Sequence, residues 1–196
     1  MHKIILTDEQ IEHARKTAKL KENHINNKYS YHTVENNFQK MFEGKLGEEA
    51  VKSFFNEKNV EYELDTTPIE KPDKFDFMIL KNDKRITVDV KTRNADYGKN
   101  NMLLAIKSVV DSKPKDLYIS VYLKTEQELY IVGYCSWRKF IEVNRVKEFK
   151  EGLPSYALFE DELILINRKC HTSSKRKKLN YRKEETEDIN SQTQIL

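Results

Sequence analysis

Cysteine, glycine and proline are scarce in this chain of 196 residues, which has two cysteines, five glycines and four prolines. Two cysteines cannot build the disulfide framework of a small secreted domain. So little glycine and proline excludes collagen-like and other low-complexity classes. Long apolar runs are missing too: no stretch approaches the roughly 18 residues of a membrane-spanning helix, and residues 4–6 are too short for a signal peptide. We therefore expect a cytoplasmic protein with reduced cysteines and no membrane partner.

Basic residues are concentrated near the carboxyl end. Segment 168–183 carries a charge of +8, so the rest of a chain of net charge +3 carries −5. A basic arm on an acidic body is typical of a nucleic-acid-binding terminus, and the alternative is a solvated terminus without a binding role. We predict one domain over residues 1–167 and a flexible tail over 168–196. The expected nucleic-acid contacts of the tail are Lys175, Arg176, Lys177 and Lys178.

Hydrophobic periodicity predicts an α/β protein. Thr7 and Gln10 form a capping-box pattern that begins a helix over about 7–22. A longer helix over about 34–58 carries an apolar stripe. Further helices are predicted at about 101–110 and 136–142. Alternating apolar residues predict strands at about 60–64, 75–80, 85–91, 116–124, 128–134 and 163–166.

The run from residue 76 to residue 91 is the most informative part of the sequence. Asn82 and Asp83 favour a two-residue hairpin turn. With that turn, the apolar side chains at alternate positions all fall on one face of the hairpin. A slip of one residue would move them to the other face, so the pattern predicts the strand register. The apolar face consists of Phe75, Phe77, Ile79, Ile86, Val88 and Val90.

The opposite face of this hairpin carries charge. The predicted register sets Asp76 directly opposite Asp89, and Lys91, two residues further on, points to the same side. Two carboxylates this close repel each other, and a divalent cation would remove the conflict because hard cations take carboxylate ligands. The alternative is an exposed polar face in which Lys91 pairs with an aspartate. Because two apolar side chains share this face, we expect the long second helix to cover it.

Two glutamates on that helix are candidates to join the aspartates. At 3.6 residues per turn, Glu48 borders the apolar stripe, whereas Glu49 lies on the solvent side among polar residues that include Lys45. We therefore predict Glu48 in the site and Glu49 as an ordinary surface acid. Gly44 and Gly47 lie in the same helix, where each costs about 1 kcal/mol relative to alanine. Glycines at that cost indicate close backbone approach.

In this order, the residues resemble the PD-(D/E)XK nuclease superfamily, which has the restriction-endonuclease-like fold. The resemblance covers about residues 40–135. It rests on Gly-x-x-Gly-Glu48 in a helix, Asp76 at the start of a strand and Asp89-Val90-Lys91 near the end of the next. It implies a central mixed β-sheet of about five strands flanked by helices, with the first helix as an addition. The family's proline before the acid is displaced here to Pro72-Asp73, so Asp73 is an alternative ligand.

The resemblance implies a metal-dependent enzyme. Glu48, Asp76 and Asp89 would hold Mg²⁺, or Mn²⁺ in its place, and the metal would lower the pKa of a bound water. Lys91 would orient or deprotonate that water and neutralise the developing negative charge. The predicted catalytic residues are therefore Glu48, Asp76, Asp89 and Lys91.

The family mainly cuts DNA, so the expected activity is that of a DNA endonuclease of phage, mobile-element or restriction type. A Holliday-junction resolvase or an exonuclease of the same fold is one alternative. A nuclease-like domain that binds nucleic acid or protein without cutting is another. Arg93 and Lys107 are candidate nucleic-acid contacts. Cutting both strands of a duplex often uses two active sites, which favours a homodimer.

Overall fold

The computed structural model describes residues 1–28, 37–68, 73–94, 102–148 and 154–166. The predicted tail, including its four basic contact residues, lies outside these ranges. A short 3₁₀ helix covers Glu160–Glu162. The other elements, in chain order, are β1 (His2–Ile5), α1 (Asp8–Lys28), α2 (Asn37–Glu57), β2 (Tyr62–Leu64), β3 (Phe77–Lys81), β4 (Lys84–Asn94), β5 (Met102–Ile106), α3 (Lys107–Ser112), β6 (Leu117–Leu123), β7 (Glu128–Ser136), α4 (Trp137–Val143), β8 (Val146–Glu148), β9 (Pro154–Phe159) and β10 (Ile164–Leu165).

The described strands form two sheets. The larger has seven strands, in the order β1-β7-β6-β4-β3-β2, with β10 also paired to β7. Its neighbours are antiparallel except β4 and β6, which run parallel. The smaller sheet has the order β5-β9-β8. The chain crosses from β4 to β6 by way of β5 and α3, as a parallel pair requires a long connection.

The prediction of an α/β protein with a mixed sheet and flanking helices is confirmed, but the sheet was underestimated. It has seven strands rather than about five, and a second sheet is present. The helix predicted over 101–110 is wrong, because residues 102–106 form β5 and only the following six form α3. Leu103 and Leu104 favour helices in isolation, yet they pair with Leu158 and Ala157 of β9.

The two predicted long helices are present. In α1, the Thr7 N–H donates to Gln10 Oε1 at 3.0 Å and the Gln10 N–H donates to Thr7 Oγ1 at 3.3 Å. This reciprocal pair is the predicted capping box. In α2, most of the apolar stripe is buried, including Leu46 and Phe54, whereas Phe38 and Met41 at its start are partly buried. No helix within the described ranges has the length and apolar character of a membrane-spanning segment.

The register of the β3–β4 hairpin is the predicted one. Phe77 pairs with Val88, and Lys81 pairs with Lys84 at the turn. Asn82 and Asp83 both have positive φ, at 50° and 59°. Positive φ at both central residues defines a type I′ turn, whose twist matches that of the strands it joins. The turn chemistry and the apolar alternation therefore agree on one register.

The larger sheet separates two hydrophobic cores. Alternate residues of β6 face opposite ways, so Leu117 and Ile119 belong to a core with α1 and α2, whereas Tyr118 belongs to a core with α4, β5 and β9. The apolar face of the β3–β4 hairpin packs in the first core. The expectation that α2 covers the charged face is therefore wrong. The fold places α2 on the apolar face, because its phenylalanines bury more apolar surface there than they would against the charged face.

Candidate active site

Asp76 lies at the point where β3 begins beside β4. Its N–H donates to the Val88 carbonyl at 3.0 Å, and its Oδ2 accepts from the Val90 N–H at 2.6 Å. The hairpin register, extended by one residue, sets Asp76 opposite Asp89 as predicted. Strand β3 begins at Phe77, which pairs with Val88, so residues 89–94 of β4 have no partner on β3. The Asp76 carboxylate occupies the start of this gap.

Asp76 has an unusual protonation equilibrium. Burial raises its pKa first, Glu48 and Asp89 raise it further, and the result is about 7. The Val90 N–H and the Lys91 ammonium act in the opposite direction. The other three residues of the predicted catalytic set thus all act electrostatically on this one carboxyl group. Perturbed carboxyl groups of this kind are enriched at functional sites.

Asp89 is held by Lys91 on the same strand. The Lys91 Nζ lies 2.6 Å from Asp89 Oδ2, while the Lys91 side chain remains 35% exposed. The angles at this contact are not those of a hydrogen bond, and Asp89 Oδ2 is buried without a hydrogen-bond donor among the described residues. This oxygen therefore contacts the Lys91 ammonium and accepts no hydrogen bond from the described residues.

The neighbours of Asp89 on β6 explain what covers the charged face. Asp89 pairs with Tyr118 and Lys91 pairs with Ser120. The Tyr118 ring packs edge-on against Phe140 of α4, with 5.0 Å between centroids. Burial, with Asp89 as a further cause, raises the pKa of Tyr118 to about 12. Helix α4 and the smaller sheet thus pack against the β6 part of this face, beside Asp89, and the hairpin part remains partly exposed.

Glu48 approaches Asp76 from α2 on the other side of the sheet. Both residues line a cleft of about 290 Å³ between α1, α2 and the residues before β3. Helix α2 comes close to β4 at Gly47, where an added Cβ would lie 1.8 Å from Thr92 Oγ1. The predicted close approach is found at Gly47 but not at Gly44, where an added Cβ would meet no atom of another element within 4 Å.

Lys45 is the residue of this site that sequence reasoning missed. Its Nζ donates to both carboxylate oxygens of Glu48, at 2.7 and 2.6 Å. Burial lowers the pKa of Lys45, but Glu48, Asp76 and Asp73 outweigh burial and leave it raised. The spacing to Glu48 is an i,i+3 ion-pair pattern. That signal was present, but the helical wheel assigned Lys45 to the solvent side.

Glu49 is buried rather than an ordinary surface acid. Its exposed fraction is 7%, and its Oε1 lies 2.8 Å from His13 Nδ1 and 3.9 Å from Lys52 Nζ. Helix α1 packs across the polar side of α2 and covers this carboxylate. Because one helix cannot reveal its neighbour, the wheel of α2 alone misassigned Glu49.

The remaining candidates interact with residues outside the carboxylate pair. Asp73, the alternative ligand, lines the cleft and is paired with Lys21. Burial lowers the pKa of Arg93, against an opposing effect of Glu160. Lys107 pairs with Asp111, and its Nζ lies 5.3 Å from the centre of the Tyr156 ring.

The donor set suits a hard cation in part. No group of three or more His, Cys, Asp or Glu within the described ranges is arranged to hold a metal ion. Mg²⁺ is commonly bound by only one or two carboxylates together with substrate phosphates. Asp76 and Asp89 supply such a pair, and the undonated Asp89 Oδ2 is consistent with it. Glu48, the third predicted ligand, has both oxygens bonded to Lys45.

Comparison with protein-family models, curated proteins and solved structures gives no match. The assignment to a family therefore depends on the residues of this chain.

Proposed function

We propose that this protein is a metal-dependent nuclease that hydrolyses phosphodiester bonds, with DNA as substrate and endonucleolytic cleavage as the reaction. One observation carries the proposal: the strand register sets Asp76 opposite Asp89, and the Lys91 Nζ lies 2.6 Å from Asp89 Oδ2. Two facing carboxylates destabilise a sheet when both are charged, and the contact of Lys91 with Asp89 offsets part of this repulsion in the metal-free protein. The two carboxylates and the amine match the needs of phosphodiester hydrolysis, which requires charge neutralisation at the phosphate and a positioned water.

Asp76 and Asp89 are the residues that would hold the divalent ion, with Glu48 as a third ligand. When bound, Mg²⁺ or Mn²⁺ would supply a Lewis acid for the phosphate and a more acidic water. The Val90 N–H fixes one oxygen of Asp76 at 2.6 Å and so orients its carboxylate. Preorganised ligands of this kind do not have to reorganise during the reaction.

Lys91 would act on the attacking water and on the phosphate. Its side chain is one-third exposed, so the ammonium can reach a group outside the sheet. In the proposed enzyme it exchanges its contact with Asp89 for one with the scissile phosphate or the water. As an ammonium, Lys91 can orient the water as a donor or neutralise charge on the phosphate, and only a lysine that has first lost its proton could accept one from the water.

The substrate and the partners belong to the same proposal. The basic segment 168–183 would add phosphate contacts that an acidic body lacks. A homodimer would bring two sites to one duplex. A Holliday-junction resolvase or an exonuclease would use the same residues, and a non-cleaving domain would bind nucleic acid or protein without turnover.

The test is a cleavage assay on the full-length protein with Mg²⁺ and with EDTA. Plasmid, linear duplex, single-stranded and four-way-junction DNA separate the alternatives. We expect Asp89→Asn and Lys91→Met to lower the cleavage rate by at least about 100-fold, the scale of losing one catalytic group. Asp83→Asn is the matched control, because it removes a carboxylate from the turn of the same hairpin and asparagine tolerates positive φ.

Cleavage that needs Mg²⁺, disappears in Asp89→Asn and persists in Asp83→Asn supports the proposal. Equal cleavage by the wild type and Asp89→Asn would show that the site is elsewhere. Binding of DNA without cleavage in Mg²⁺ or Mn²⁺ would support the non-cleaving alternative. Cleavage confined to the junction would identify a resolvase, and release of mononucleotides from ends would identify an exonuclease.

A further inference from the structure

The contact between Lys45 and Glu48 differs from an ordinary helix-surface ion pair. The ammonium bonds both carboxylate oxygens, and the exposed fractions of the two side chains are only 14% and 25%. Exposed i,i+3 pairs contribute little because water screens them. Burial strengthens this one, since charge-assisted hydrogen bonds are stronger where the dielectric is low.

Lys45 is also surrounded by acidic side chains. Lys45, Glu48, Asp73 and Asp76 line the same cleft. Glu48, Asp76 and Asp73 all raise the pKa of Lys45 against the effect of burial. The ammonium therefore supplies the positive charge that the carboxylates require in the metal-free protein. It does so by bonding both carboxylate oxygens of Glu48, the third predicted metal ligand.

We propose that Lys45 is an internal counter-cation that occupies both carboxylate oxygens of Glu48 and has to be displaced before Glu48 can bind a divalent ion. The inference rests on the proposed metal site. It makes Lys45 a positioning residue that acts through Glu48.

Competition of this kind has a definite consequence for affinity. Metal binding to Glu48 has to break two charge-assisted hydrogen bonds, so the ion pair lowers the observed metal affinity. Removal of the ammonium leaves the Glu48 oxygens free to bind the metal ion. It also removes from the cleft a positive charge that repels a divalent cation. Lys52 separates these two effects, because its Nζ lies in the same cleft but beside Glu49.

The experiment is a Mn²⁺ titration by calorimetry on the full chain without nucleic acid, so that no turnover occurs. The variants are Lys45→Met, Lys52→Met, Glu48→Gln and the double variant Lys45→Met/Glu48→Gln. We expect Lys45→Met to bind Mn²⁺ about three- to tenfold more tightly than the wild type, the scale of one charge-assisted interaction. Lys52→Met should change the affinity by less than about twofold, as expected for a screened charge.

The double variant tests whether Lys45 acts through Glu48. In the Glu48→Gln background, Lys45→Met should no longer tighten Mn²⁺ binding, because the oxygens it competes for are gone. Lys45→Arg retains the ion pair and should retain the weaker affinity of the wild type. Circular dichroism and thermal unfolding in EDTA confirm that each variant is folded, and Lys45→Gln replaces any Lys45→Met protein that is not.

Tighter binding by Lys45→Met that vanishes in the double variant supports the inference. Binding by the wild type with unchanged or weaker binding by Lys45→Met overturns the inference and leaves the metal site in place. If Lys45→Met raises the Mn²⁺ affinity equally in the wild-type and Glu48→Gln backgrounds, a general charge effect replaces the inference. The same holds if Lys52→Met raises the affinity as much as Lys45→Met does. Absence of Mn²⁺ binding in the wild type and in Lys45→Met overturns both the inference and the proposed metal site.

Discussion

The Val90 N–H donates a hydrogen bond of 2.6 Å to Asp76 Oδ2, so the backbone of β4 holds a carboxylate whose pKa is raised to about 7. This hydrogen bond favours the charged form, whereas burial and the neighbouring Glu48 and Asp89 favour the neutral form. The balance lies with the neutral form. The metal-free protein therefore keeps a carboxyl group that binds a proton far more tightly than an unfolded chain does.

The first prediction concerns the stability of the metal-free protein against pH. The Asp76 pKa of about 7 lies above its ordinary value of 3.8, so the folded state holds the proton more tightly over that interval. The free energy of unfolding should therefore fall as pH rises from about 4 to about 7. Asp76→Asn should remove this fall and be more stable than the wild type at pH 8, by roughly 2–4 kcal/mol.

Urea unfolding in EDTA at pH 5 and pH 8 measures the effect. Asparagine keeps an oxygen for the Val90 N–H, so the substitution isolates the charge. Asp83→Asn in the exposed turn should shift stability by less than about 0.5 kcal/mol at both pH values. A stability difference between Asp76→Asn and the wild type that does not grow with pH would contradict the raised pKa.

The second prediction compares two glycines of α2. An alanine Cβ at Gly47 would meet Thr92 Oγ1 at 1.8 Å and Thr92 Cβ at 3.0 Å, whereas one at Gly44 would meet nothing within 4 Å. Gly47→Ala should lower the free energy of unfolding by about 1–3 kcal/mol through overpacking. Gly44→Ala should raise it by about 0.5–1 kcal/mol, because alanine is the better helix former.

Chemical unfolding of the two variants checks this directly. Thr92→Ala removes the nearest atom of the clash, so Gly47→Ala/Thr92→Ala should recover part of the loss, and the two substitutions should be non-additive. If Gly47→Ala is as stable as Gly44→Ala, α2 does not approach β4 as closely as described.

The third prediction separates Glu49 from the site. Glu49→Ala removes the buried carboxylate that lies 2.8 Å from His13 Nδ1 of α1. The His13 side chain is exposed, so water can replace this partner. We expect a loss of about 0.5–1.5 kcal/mol in the free energy of unfolding, with Mn²⁺ affinity unchanged within about twofold. Glu48→Gln should weaken metal binding and should also lower stability, because the largely buried Lys45 ammonium loses its carboxylate partner. Unfolding curves and calorimetric titrations of both variants decide, and weakened metal binding in folded Glu49→Ala would reassign the ligand.

The fourth prediction concerns the basic segment 168–183, which lies beyond the described residues. Truncation after Ile166 should weaken DNA binding and flatten its dependence on salt, because fewer counterions are released. Fluorescence anisotropy in EDTA at several salt concentrations measures both quantities. Replacement of Lys175, Arg176, Lys177 and Lys178 by glutamine should reproduce part of the effect at nearly full length. Identical affinities and slopes for all three proteins would leave the segment without a role in binding.

The local parts of this structure follow from the sequence, and the non-local parts do not. Alternation and a two-residue turn predict the β3–β4 register, because both act over neighbouring residues. The sequence predicts a helix at the position of β5 because the pairing of this strand with β9 joins residues 49 to 57 positions apart. The misplacement of Lys45 and Glu49 has the same origin, since it depends on how α1 packs against α2.

The parallel pairing of β4 with β6 also bears on the order of folding. Asp76 and Asp89 meet when a two-residue turn closes, an event of microseconds, whereas β4 and β6 join only after the crossover through β5 and α3. Non-local pairing of that kind is slow. The carboxylates thus come together while still hydrated, and their repulsion grows only when the layers dock around them. The charge on Asp76 should therefore govern how fast the native protein opens more than how fast it forms.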